Sequence, residues 1–338
     1  MEHLIQLDAL PSGLLDLPAA RLHEVLPGPA LIHLPGRRTP SLFVSVLLHG
    51  NEDTGWLAAR AVLKKLAGSE LPRALSLFVG NVAAARAGLR RLDGQPDYNR
   101  VWPGGEAAHA VEARLMQQVV DAMRARGVFA SLDIHNNTGL NPHYACVNRL
   151  EPDFLHLATL FSRIVVYFVR PLGVQSAAFA EICPAVTVEC GKPDTPDSVE
   201  HAADFLEACL HLAEFPAHAV APQDIDLFHT VATVKVPEAA SFGFGVPEAD
   251  IDFVPELDRY NFRELGHGEL FGRMQPESGA RLQVTDEAGV DVGARMFDYR
   301  DGRIVLTKRL MPAMLTRDER VIRQDCLCYL MERLPYPG

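Results

Sequence analysis

Two histidines and two glutamates stand just after apolar runs, where their side chains can work together. His49 and Glu52 follow the run 42–48 (LFVSVLL) in the segment His49-Gly50-Asn51-Glu52. His135 follows the run 128–134, and Glu189 follows the run 185–188. Two imidazoles and one carboxylate suit a catalytic zinc ion: three protein ligands, an open position for water, and one negative charge set against the metal's own. Gly50 gives the turn from His49 to Glu52 a backbone freedom that side-chained residues lack, letting both side chains face one point. With His49, Glu52 and His135 as metal ligands, Glu189 is left as a carboxylate beside the metal, placed to take a proton from a water there. Each piece also has an ordinary reading: a solvated turn for His-x-x-Glu, a hydrogen-bonded strand-end histidine for His135, a salt-bridged strand end for Glu189. Asp133 either orients a histidine or pairs with a cation. Their joint occurrence at strand ends, beside glycines, raises the metal reading to equal standing with these ordinary ones. His143, His201, His211 and His267 fall on helix or loop candidates and are not read as ligands.

A second cluster lies in residues 81–105, which hold Arg86, Arg90, Arg91 and Arg100 and the Asn99-Arg100 pair before Trp102-Pro103-Gly104-Gly105. Arginine grips a carboxylate through two parallel hydrogen bonds and stabilises an oxyanion. The same residues also fit a solvated helix face, the reading preferred for Arg86 and Arg91. Residue type alone leaves Arg90, Asn99 and Arg100 open.

These side chains need a frame. Runs 42–48, 75–79, 128–134, 164–169 and 185–188 have strand length, and several are continuously apolar, as in strands buried on both faces. Segments 56–66, 107–126 and 198–213 carry apolar residues at helical spacing between them. The alternation predicts an α/β fold with a mainly parallel or mixed sheet flanked by helices. In such sheets ligands bind outside the carboxyl ends of strands, where His49, His135 and Glu189 stand. From about residue 220 the character changes to short β-branched runs (231–236, 304–307) between Gly, Pro and Asp clusters. The expected division is a catalytic domain, residues 1–218, and a smaller β-rich C-terminal domain, residues 219–338.

Composition narrows the partners. The chain of 338 residues carries 32 Lys and Arg against 43 Asp and Glu, a formal net charge of −11. That opposes a nucleic-acid binder or a polybasic membrane anchor, while leaving room for a small basic pocket. No run of 18 apolar residues occurs, and residues 1–8 (MEHLIQLD) lack the basic and apolar regions of an export signal. The six cysteines form no CxxC pair and are read as reduced thiols in a cytoplasmic protein. A homo-oligomer is compatible with this composition.

Taken in order, HGNE, NxxxxRxGxR with DxNR, DIHNNT and VECG resemble the aspartoacylase/succinylglutamate desuccinylase family of the zinc carboxypeptidase superfamily, over roughly residues 40–215. The resemblance implies one zinc ion per chain on His49, Glu52 and His135, and Glu189 as general base and then general acid to the leaving amine. It implies Arg90 as the residue polarising the scissile carbonyl, and Asn99 and Arg100 as the pair holding a substrate carboxylate. The implied reaction is hydrolysis of a small N-acyl amino acid or a related amide. Three departures stand out. No Arg or Lys lies between Pro171 and Glu189, where aspartoacylase has a second carboxylate-binding arginine, and Arg170 just outside is the nearest substitute. The connection through Gly94-Gln95-Pro96 is longer than usual. The family's second-domain tyrosine has no clear counterpart, Tyr299 being a weak match. The alternatives are a zinc carboxypeptidase-type peptidase and a non-catalytic binding protein on the same scaffold.

Overall fold

The computed structural model describes residues 4–193 and 195–336. Nine strands lead the chain: β1 (Ile5–Leu7), β2 (Ala30–Leu34), β3 (Ser41–Val46), β4 (Leu75–Val79), β5 (Val128–His135), β6 (Tyr144–Val147), β7 (Ile164–Tyr167), β8 (Ala185–Glu189) and β9 (Asp226–Lys235). Eight further strands follow: β10 (Phe242–Phe244), β11 (Ile251–Phe253), β12 (Leu270–Met274), β13 (Gln283–Thr285), β14 (Phe297–Arg300), β15 (Arg303–Leu306), β16 (Met311–Ala313) and β17 (Cys328–Arg333). Between β3 and β9 lie helices α1 (Thr54–Lys65), α2 (Val82–Ala87), α3 (Val111–Arg126), α4 (Pro152–Thr159), α5 (Gln175–Phe179) and α6 (Pro196–His211).

The large sheet runs β1-β2-β4-β3-β5-β8-β6-β7-β9-β17-β16, with β13 on β9; a second sheet runs β10-β11-β12-β15-β14. Its centre, β4-β3-β5-β8, is parallel throughout. Every residue of β3, β4 and β8 is buried, which is why these segments read as unbroken apolar runs and not as alternating ones. Helices α1 and α6 pack on one another, α4 lies on β6, β7 and β8, and α5 on β5 and β8. The fold is therefore the expected mixed α/β sheet with flanking helices and a smaller β-rich part.

The large sheet does not stop at residue 218. β9 pairs with β7 in parallel, and β17 and β16 extend it antiparallel from β9. The second core is shared accordingly: Val234 of β9 and Leu330 of β17 pack in one cluster with Ile251 and Phe271 of the small sheet. This return of the chain places Asp325 and Tyr329 near Arg100, as described below. All six cysteines are free thiols, and among the described residues no helix is long and apolar enough to cross a membrane.

Candidate active site

Each candidate ligand is placed by a local device. In the parallel pairing of β5 with β8, His135 lies in register with Glu189, so the two side chains emerge from neighbouring strand ends. After β3 the chain turns at Leu47, whose φ of 57° is left-handed, and then reaches His49. Gly50 serves this turn differently from the sequence expectation, since its own φ is not positive. It is glycine because a Cβ there would lie 2.2 Å from the Ala84 carbonyl carbon and the Ala85 nitrogen. Its N–H donates to the Arg90 carbonyl at 3.1 Å, tying the turn between His49 and Glu52 to the arginine segment. Gly50→Ala is expected to lower stability by roughly 1–3 kcal/mol, the cost of forcing a methyl into packed backbone, read as a reduced urea midpoint.

The NxxxxRxGxR segment is one short helix with its ends defined. The Asn81 side chain caps α2 by accepting from the Ala84 N–H at 3.0 Å, and Gly88, at φ 64°, ends it in the left-handed conformation. The chain then leaves α2 with Arg90 directed to the cluster.

His49 Nδ1 lies 2.8 Å from Glu52 Oε1, and His135 Nδ1 lies 2.7 Å from Glu52 Oε2. All three residues are buried, and their ligand atoms fall within 4.8 Å of one another. The other nitrogen of each ring is held by a carboxylate: His49 Nε2 is 2.9 Å from Asp97 Oδ1, and His135 Nε2 is 2.8 Å from Asp133 Oδ2. Asp133 is fixed in turn by the Ser45 hydroxyl at 2.6 Å. Such outer carboxylates set the tautomer and aim the opposite nitrogen at a metal. Asp133 thus takes the first of its two sequence readings, orienting a histidine. Asp97 escaped the sequence reading, although it opens the DxNR motif.

The electrostatics of the cluster suit a cation. Burial lowers the proton affinity of both imidazoles, but Glu52 with Asp97 at His49, and Asp133 with Glu52 at His135, outweigh it and raise both pKa values. Burial favours protonated Glu52, yet the two histidines hold its carboxyl far below the usual range. Buried carboxylates that draw protons onto two converging imidazoles form a donor set short of positive charge, which a divalent ion would balance. Among the described residues His49, Glu52 and His135 are the group that can hold a metal.

Glu189 sits apart from this ion-pair lattice. Burial pushes its carboxyl up to about 7, with Glu52 reinforcing and His135 opposing. Its Oε2 is buried without a hydrogen-bond partner, as is the Nε of Arg90. Arg90 is held by Asp97 at 2.8 Å and lies 3.5 Å from both Glu52 Oε1 and Asp325 Oδ2.

Asn99 lines the cleft with its amide engaged, Nδ2 3.2 Å from His135 Nε2 and Oδ1 accepting from the Gln175 N–H at 2.8 Å. Arg100 donates to Asp325 Oδ1 at 2.7 Å and lies 3.4 Å from the Tyr329 hydroxyl. Asp325 and Tyr329 were not anticipated, because only the pairing of β17 with β9 brings residue 325 to residue 100. Tyr299 lies elsewhere, its hydroxyl accepting from the Leu282 N–H and its ring under Arg281. Arg170 reaches the cleft edge, its Nε donating to the Glu287 carbonyl at 2.7 Å. The long connection before Asn99 is closed by Gln95, which accepts from the Asn81 amide at 2.8 Å. The cleft spans roughly 710 Å³, open mouth included.

The sheet's carboxyl ends thus gather two imidazoles and two buried carboxylates in one cleft, three of these side chains forming a group that could hold a metal ion. Residues 38–212 match the model of the succinylglutamate desuccinylase/aspartoacylase catalytic domain. The chain belongs to this family. Its fold is shared with succinylglutamate desuccinylases from Chromobacterium violaceum (17 % identity, TM-score 0.57, covering 90 % of this chain and 87 % of the other) and Vibrio parahaemolyticus (14 %, 0.60, 90 % and 86 %). Murine aminoacylase 3 is also similar in fold (15 %, 0.51, 88 % and 97 %). Among curated proteins none matches the chain.

Proposed function

We propose that this protein is a zinc-dependent amidohydrolase that cleaves a small N-acyl amino acid into a carboxylate and an amine. The observation that carries the reading is the convergence of His49, Glu52 and His135 in one cleft with Glu189, whose Oε2 is buried and unpartnered. In this reading the three residues hold one zinc ion, which supplies Lewis-acid polarisation and a water of lowered pKa at neutral pH. Glu189 accepts a proton from water as the water oxygen bonds to the acyl carbon, and returns it to the nitrogen as the C–N bond breaks. A carboxyl near 7 suits both directions of transfer. Arg90 faces the negative charge that develops on the carbonyl oxygen. Arg100, backed by Asn99, orients the substrate carboxylate. Residues 1–218 act as the catalytic portion, and residues 219–338 close the cleft through Asp325 and Tyr329.

The test is release of free amine from a panel of N-acyl amino acids by the zinc-loaded protein. The reading expects turnover that a chelator abolishes and added zinc restores. Turnover untouched by chelation, or confined to C-terminal residues of peptides, contradicts it, the latter in favour of a peptidase.

A further inference from the structure

We propose that Asp325 restricts the cleft to substrates bearing a single carboxylate and an uncharged acyl group. The inference rests on the amide-hydrolase reading above and concerns the charge of what that site accepts.

Two guanidinium groups face the cluster, and neither is free to receive an acidic substrate unopposed. Arg90 is already matched by Asp97 at 2.8 Å. Asp325 bridges the pair, 2.7 Å from Arg100 Nη2 and 3.5 Å from Arg90 Nη2. Burial favours its neutral form, but Arg100 and Arg90 hold it ionised. Its place is set by the backbone and not by a swinging side chain: the Asp325 N–H donates to the Val321 carbonyl, and two residues on the Leu327 N–H donates to the Val234 carbonyl of β9 at 2.8 Å. Arg100 keeps unused donors, and its side chain is 26 % exposed against 16 % for Asp325, so one substrate carboxylate has a partner there. A second does not. The wall of the cleft also includes Val166, Phe168, Val174, Ala313 and Met331 beside the hydroxyls of Thr187 and Thr230, and none of these is a cation. The third cation of the cleft, Arg170, is turned to the Glu287 carbonyl at 2.7 Å and to Glu106 at 3.5 Å. A second carboxylate would be desolvated against that wall with Asp325 repelling it, a cost an uncharged acyl group avoids.

The test uses zinc-loaded protein and matched substrates: N-acetyl-leucine, N-succinyl-leucine and N-acetyl-aspartate, with kcat/KM measured for each. The expected result is preference for N-acetyl-leucine over both dianions by about tenfold or more. Asp325→Asn should shift that ratio toward the dianions by a similar factor, while Asp325→Glu keeps the native ratio. Preference for a dianion in the wild type overturns the proposal, and its loss in Arg170→Ala would make Arg170 the anchor for the second carboxylate. A parallel fall for all three substrates in Asp325→Asn, with the ratio unchanged, also overturns it and reduces Asp325 to a positioning residue for the arginines. Equilibrium binding of the same compounds to Glu189→Gln reads the charge preference without turnover. If no compound is hydrolysed, the amide-hydrolase reading fails, and the binding order still decides the charge inference.

Discussion

Glu189→Gln is expected to lower kcat for amide hydrolysis by about a thousandfold, within the range attributed to a positioned acid–base group, with the metal content unchanged. Glutamine has nearly the same shape but cannot take up and return a proton. The site offers no substitute close by: Glu52 is engaged by both histidines, Asp133 by His135 and Ser45, and Asp97 by His49 and Arg90. Glu189 is the buried carboxylate whose Oε2 remains unpartnered. Steady-state kinetics with metal analysis on the same preparation checks this. Native kcat in the variant removes Glu189 from the chemistry, and metal lost along with activity would make it a ligand.

The second large effect is at Arg90. Arg90→Ala is expected to lower kcat by about a hundredfold to a thousandfold, the loss seen when one preorganised donor to a developing oxyanion is removed. The same guanidinium balances Asp97, Glu52 and Asp325. The alanine variant is therefore also expected to lose stability, since an unmatched buried carboxylate costs roughly 3–5 kcal/mol. Arg90→Lys separates the two roles: the charge remains and stability largely returns, while kcat stays low because a point charge does not reproduce the planar fork. Full recovery of kcat in the lysine variant would confine Arg90 to charge balance.

The frame of the site was legible because its strands are buried on both faces and so carry unbroken apolar runs, each ending in a polar residue that has no packing reason to be there. His49, His135 and Glu189 stand out in this way. What sequence could not display depends on contacts across the chain. Asp97 looked like one acidic residue among many until the fold set it 2.9 Å from His49 Nε2. Asp325 and Tyr329 reach Arg100 only through the pairing of β17 with β9, and short strands carry no signal naming their partners. For the same reason a β-rich second half was expected, while its continuation of the large sheet was not. Gly50 shows a subtler limit: glycine was expected, but for backbone freedom, whereas the requirement is close approach to Ala84 and Ala85.

The central claim is that His49, Glu52 and His135 hold a catalytic zinc ion. Metal content of the purified protein by mass spectrometry, wild type beside His49→Ala, tests it most directly. The account predicts about one zinc per chain in the wild type and its loss in the variant, with the variant still folded by circular dichroism. A wild type that carries no metal and takes up none from added zinc, or a variant that keeps a full equivalent, would contradict it.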